Sequence, residues 1–182
     1  MTEDEMKLDM LVAELEYENR LLRARNERLV SEAQTSNFER TAAWLKACGK
    51  VPGPYTLSVQ IGCHIEEFLE FLMCIDFDSS KDAESLEISV EQLQHVATGL
   101  KMGMVMAGIN KSDRIEALDA LCDSEVTGNG VAYLAGFDKR GADLAVLASN
   151  DAKLVDGKPV ILPGGKIGKP PNWQAPDLSG FV

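Results

Sequence analysis

Leucines recur every seventh residue at Leu8, Leu15, Leu22 and Leu29, and with these as d positions the a positions are Val12, Asn19, Asn26 and Ala33. This heptad predicts a zipper-like helix over residues 1–36 that pairs through its a/d seam. Asparagine at an a position gives up stability to fix register and favour two parallel strands, and here it occurs twice. Glu18 at g would face Arg23 at the next e of a partner helix. One amphipathic helix folding back on its own domain is the alternative, because the seam is short and two of its a residues are polar.

Beyond Gln34 the period becomes that of ordinary core-facing helices. A short apolar segment carries Phe38, Trp44 and Leu45, and Gly49 with Pro52-Gly53-Pro54 ends it. Leu57, Ile61, Ile65, Phe68 and Leu72 then fall at spacings of three and four, which predicts a helix over about 56–75 with that stripe toward the core. Leu86, Val90, Leu93, Val96 and Leu100 predict another over about 83–106, broken by Asn110-Lys111-Ser112. A fourth, over about 113–136, carries Ile115, Leu118, Leu121, Val126, Val131 and Leu134. A short helix after Gly141 to about Leu147 completes an all-α, four-helix-bundle-like core over residues 37–149. No β-alternation of useful length is present. From Asn150 to Val182 the density of glycine and proline predicts an extended tail. Its Val160, Ile161, Leu162, Trp173, Leu178 and Phe181 would anchor it around the core.

Composition narrows the functional classes. The chain has 29 acidic and 18 basic residues and a net charge of −11, which disfavours binding to a nucleic-acid backbone. A polyanionic small substrate would need metal ions as intermediaries. No apolar run approaches the roughly 18 to 20 residues of a membrane span. The acidic start Met1-Thr2-Glu3-Asp4-Glu5 lacks the pattern of a signal peptide, so no membrane partner and a cytoplasmic location are expected. Cys48, Cys63, Cys74 and Cys122 show no C-x-x-C spacing and are read as reduced structural thiols.

The densest chemical signal is Glu66-Glu67-Phe68-Leu69-Glu70. At about 100° per residue the three carboxylates crowd one side of a helix, where like charges repel and a divalent cation would relieve them. Mg²⁺ prefers oxygen ligands of this kind. On its own, E-E-x-x-E also occurs on solvated helix faces. Glu116, Asp119 and Asp123 share a face of the later helix, and two acidic helices facing each other across a bundle make a multi-metal geometry.

These residues resemble the MazG-like, all-α nucleoside triphosphate pyrophosphohydrolases, whose core is also that of the dimeric dUTPases. Glu66, Glu67 and Glu70 match the family's E-E-x-x-E in full. Its E-x-x-D is matched less cleanly. The segment 119–138, closing on Gly136-Phe137-Asp138, puts Asp123 at the metal-binding Asp, with Ala120 three residues before it; Asp119 and Glu116 are the alternative second acids. Ser149-Asn150-Asp151-Ala152-Lys153-Leu154, Asp156-Gly157-Lys158 and Lys169-Pro170-Pro171-Asn172-Trp173 look like the C-terminal segment of phage-encoded relatives, which would place the protein in a host cytoplasm.

The resemblance covers residues 44–182 and implies hydrolysis of an NTP or dNTP to the monophosphate and pyrophosphate. It implies two or more Mg²⁺ ions per site, replaceable by Mn²⁺, held by Glu66, Glu67, Glu70, Asp119, Asp123 and Glu116, with Glu66 or Glu67 as the base toward water. Asn150, Lys153 and Lys158 would contact phosphates, with Lys166 and Lys169 as weaker candidates, and Asn129 would meet a base edge. Self-association into a dimer or tetramer is expected from the heptad. The competing reading is a non-catalytic coiled-coil scaffold or nucleotide-binding regulator on the same fold. Gly164-Gly165-Lys166-Ile167-Gly168-Lys169 is not a phosphate loop, because Pro163 and Pro170 stand where glycine and a hydroxyl residue are needed.

Overall fold

The computed structural model describes the backbone of residues 3–34, 36–161 and 167–182, and the side chains of residues 10–26, 36–161 and 167–182. Among these the chain is all-α, with six α-helices and one two-residue hairpin. It divides into two compact units, one running to Trp44 and one starting at Leu45. None of the described helices is long and apolar enough to cross a membrane.

The first unit is dominated by α1 (Glu3–Gln34). Its described seam residues, Val12, Leu15, Asn19, Leu22 and Asn26, are all exposed. The side chains of Leu8, Leu29 and Ala33, which complete the heptad, lie outside the described residues. Helix α2 (Asn37–Ala47) replaces the short apolar segment expected there. A capping box starts it: the Glu39 amide donates to Ser36 Oγ at 3.2 Å, and the Glu39 carboxylate accepts from the Ser36 amide at 2.9 Å.

In the second unit, α3 (Pro54–Leu72) and α4 (Ser80–Lys101) form the main packed pair. Pro54 opens α3 in a position where its missing amide costs nothing, and Ser79 caps α4 by accepting from the Asp82 amide. The face they share differs in part from the expected one, which Val90 and Leu100 keep. The structure buries Ser58, Gly62 and Leu69 on α3, and Val90, Ala97, Gly99 and Leu100 on α4. Leu57, Phe68, Leu93 and Val96, expected in the core, are exposed.

Size is the cause. A β-carbon at Gly62 would lie 2.8 Å from both the Ala97 carbonyl oxygen and Leu100 Cβ, so the backbones approach where the side chains are smallest. On α3 the contact is turned about one residue, or about 100°, from the bulky stripe, whereas on α4 Val90 and Leu100 of the expected stripe are buried alongside Ala97. Helix α4 also stops five residues short of the expected Met106. Gly103 takes the left-handed conformation (φ 68°), and the amides of Gly103 and Met104 close back on the carbonyls of Leu100 and Gly99. Buried Ser58 then holds the following strand of chain, its hydroxyl accepting from the Ala107 amide at 2.9 Å.

A 3-10 turn (Lys111–Asp113) leads into α5 (Arg114–Ala135), which runs unbroken through Gly128-Asn129-Gly130. Its packing is chiefly against that turn and α6. Ala132 is its one buried residue, while Ile115 is 86% and Tyr133 81% exposed. Leu118, Leu121, Val126, Val131 and Leu134, expected in the core, are likewise exposed. Helix α6 (Lys139–Asp151) begins earlier and ends later than the sequence indicated, capped by Asp138 accepting from the Gly141 amide at 3.0 Å.

The tail is not simply extended. β1 (Leu154–Val155) and β2 (Lys158–Pro159) pair antiparallel around Asp156-Gly157, both at positive φ as a tight two-residue hairpin requires. Ile161 bridges to Ile167, and Leu162 and Lys166 lie outside the described residues. Farther on, the indole Nε1 of Trp173 donates to the Ser149 carbonyl at 2.9 Å. The Asp138 amide donates to the Phe181 carbonyl at 2.8 Å, so the tail is tied to both ends of α6.

Candidate functional site

The site is built outward from α3. Helical spacing sets Glu66, Glu67 and Glu70 on one side of it, and they differ in environment. Glu66 is partly buried and ion-paired with Lys101 in the last turn of α4. Glu67 and Glu70 are exposed, and no hydrogen bond or ion pair holds their carboxylates among the described residues.

Partial burial, then the negative fields of Glu70 and Glu66, push the Glu67 carboxyl above its ordinary range, against the opposing pull of Lys101 and Lys153. Burial and like charges both disfavour the ionised form of a carboxyl, and an opposite charge beside it favours that form. Burial likewise pushes the Cys63 thiol up, with Lys101 opposing and Glu66 and Glu67 adding to the shift. Cys63 is therefore a protonated neighbour of the cluster, with little thiolate character.

The C-terminal end of α6 contributes the positive side. Lys153 Nζ donates to Asn150 Oδ1 at 2.8 Å. Burial, then the nearby Lys169, lower the Lys153 pKa, while Cys48 and Glu67 raise it. Asn150 and Lys153 are thus brought together, within electrostatic reach of Glu67. Lys158 is elsewhere, exposed on β2.

Helix α5 presents a different result. Glu116, Asp119, Asp123 and Asn129 are all exposed on it. Among the described residues no three acidic, histidine or cysteine side chains converge to hold a metal ion. The donor chemistry still fits a hard cation: all candidate ligands are carboxylate oxygens, and those of α3 are crowded and under mutual repulsion.

Sequence reasoning missed Lys101. It is the basic residue of the last α4 turn, and its charge opposite an acidic helix was the available signal. Sequence reasoning weighed Trp173 as an anchor and Lys169 as a weak phosphate contact without connecting them. In the structure Lys169 Nζ lies 4.2 Å and Lys153 Nζ 5.5 Å from the centroid of the Trp173 ring. His64 and His95 are exposed on their helices. The four cysteines form no disulfide. The chain matches no protein-family model, no curated protein and no solved structure.

Proposed function

We propose that the protein is a Mg²⁺-dependent nucleoside triphosphate pyrophosphohydrolase of the MazG-like type, acting on an NTP or dNTP. The observation that carries this reading is the meeting of three crowded α3 carboxylates with a cationic α6 terminus, where Lys153 acts against the rise that burial, Glu70 and Glu66 impose on the Glu67 carboxyl. Acids for metal on one side and amide and ammonium donors for phosphate on the other are what a metal–triphosphate complex needs.

Glu67 and Glu70 would hold metal, with Glu66 restrained by Lys101 at the edge of the cluster. When bound, the metal supplies charge neutralisation and a more acidic water. Glu67, poised above the ordinary carboxylate range, is the better placed of the α3 acids to take a proton from the attacking water. Asn150 and Lys153 would orient the phosphates so that the attack falls on the α-phosphorus and pyrophosphate leaves. Glu116, Asp119 and Asp123 would complete the ligand sphere from a second copy. The exposed apolar row Ile115, Leu118, Val126 and Tyr133 beside them is surface that a neighbouring helix would cover. The a/d seam of α1 supplies a second means of self-association.

The competing reading, a non-catalytic scaffold or nucleotide-binding regulator, draws on the finding that no three acidic, histidine or cysteine side chains converge to hold a metal ion among the described residues. The two readings part in one assay. Purified protein with Mg²⁺ or Mn²⁺ is offered the common ribo- and deoxyribonucleoside triphosphates in turn. Pyrophosphate release from at least one is expected; release from none overturns the enzyme reading.

A further inference from the structure

The run Met102-Gly103-Met104-Val105-Met106 takes no part in the carboxylate site or in the seam of α1. It holds three of the chain's seven methionines, and all three are exposed, at 67%, 68% and 55%. Methionine ordinarily fills irregular gaps in a core. Three of them side by side on a surface present thioether sulfur where the acidic cluster presents oxygen.

The end of α4 makes this arrangement. In a continued helix Met104 would stand about 200° around the axis from both Met102 and Met106. Gly103 stops the helix, and beyond it Val105 turns inward, its Cγ2 lying 3.1 Å from where a β-carbon on Gly99 would be. Neighbouring side chains in non-helical chain leave on opposite sides, so Met104 and Met106 point away from α4. The loop is also held in place. Ser58 Oγ accepts from the Ala107 amide at 2.9 Å, and the amides of Met104 and Val105 both return to the Gly99 carbonyl. Tyr55 lies against Gly103, its Cε2 2.9 Å from a β-carbon placed there, so an aromatic ring adjoins the middle of the run. Lys101, just before the run, is ion-paired with Glu66 and directs its charge toward α3.

We propose that Met102, Met104 and Met106 form a site for one soft monovalent cation, Cu⁺, separate from the hard-cation site read from α3. Thioethers are soft, polarizable donors that select Cu⁺, whereas Mg²⁺ takes carboxylate and water oxygens. They carry no proton, so the ion enters without proton release and its affinity does not follow pH. The Tyr55 ring adds cation–π attraction beside the run. No ligand is shared with Glu67 or Glu70, so the site stands or falls apart from the hydrolase reading.

The test uses the full-length protein with ¹³C in its methionine methyl groups, titrated in chloride-free buffer with Ag⁺, a redox-inert stand-in for Cu⁺. Its thiols are first blocked with N-ethylmaleimide, because Cys48, Cys63, Cys74 and Cys122 are free and compete for the same ions. Three methyl resonances are expected to shift together and saturate near one equivalent, with the others unmoved and Mg²⁺ without effect. Met104→Leu keeps the size of the side chain and removes the sulfur. It should delete one of the three resonances and weaken Ag⁺ at the other two by about tenfold or more. Met73→Leu, exposed outside the run, should bind as the parent does. Against a coloured Cu⁺ chelate, the parent should withdraw one more ion per chain than the Met104→Leu, Met106→Leu double variant, equally at about pH 5 and pH 7, where imidazole and thiol ligands would lose affinity on the acid side. Shifts spread over all the methionines, or confined to one of the three, overturn the site. Ag⁺ affinity unchanged in Met104→Leu also overturns it and leaves the run an apolar patch.

Discussion

Lys101, in the last turn of α4, is ion-paired with Glu66 on α3, so one acid of the E-E-x-x-E cluster is neutralised across the helix pair while its neighbours are not. Lys101→Met should leave the fold in place at a cost of about 1 kcal/mol or less, since both side chains keep partial contact with water. It should also push the Glu67 carboxyl further up, because Lys101 now pulls it down. Mn²⁺ binding followed against pH should show its acid limb moving to higher pH. An unmoved limb would mean that Lys101 does not act on the cluster.

Gly62→Ala tests the packing that brings the two helices together. The added methyl group would meet the Ala97 carbonyl oxygen and Leu100 Cβ at 2.8 Å, and a backbone atom cannot give way as a side chain can. A loss of about 1 to 3 kcal/mol is expected in denaturant unfolding. Gly128→Ala, where the new atom meets nothing within 4 Å, should be neutral or stabilising in the same experiment. Equal effects at the two positions would contradict the close crossing of α3 and α4.

Glu67 gives a pH prediction with a definite sign. Its folded pKa is raised, so the ionised form is the one the fold disfavours. Stability is therefore lowered above the raised pKa and recovered as pH falls through it. Glu67→Gln should raise the Tm at neutral pH while abolishing Mn²⁺ binding. A lower Tm with binding retained would place Glu67 among ordinary surface acids.

How much of this was legible in the chain differs from element to element. The acidic E-E-x-x-E helix could be read directly, because helical spacing alone sets Glu66, Glu67 and Glu70 on one side. The helix content was legible for the same reason. The buried face was legible on α4 at Val90 and Leu100 but not on α3, since periodicity registers bulk and the contact between α3 and α4 selects smallness, at Ser58, Gly62 and Ala97. Gly103 as the stop of α4 and Asp156-Gly157 as a hairpin were both visible as residue types, yet the apolar Met104 to Met106 run and the proline-rich context masked them. The pairing of Lys101 with Glu66 joins positions 35 residues apart and has no local signal. The apolar stripe of α5 was recognised, but a stripe does not say whether its cover comes from the same chain.

That last point can be tested by mixing. If the α5 acids act on the α3 acids of another copy, Glu67→Ala and Asp123→Ala chains are each inactive alone. Refolded together, they should regain a substantial fraction of parental turnover, because some mixed sites would take both halves from unaltered helices. Mixtures as inactive as the separate variants would show that both motifs must come from one chain.

The chemistry itself is read most directly by running the reaction in water labelled with heavy oxygen and weighing the products. Attack by water on the α-phosphorus predicts one labelled oxygen in the nucleoside monophosphate and none in the pyrophosphate. Label in the pyrophosphate, or no turnover of any triphosphate, would contradict the account.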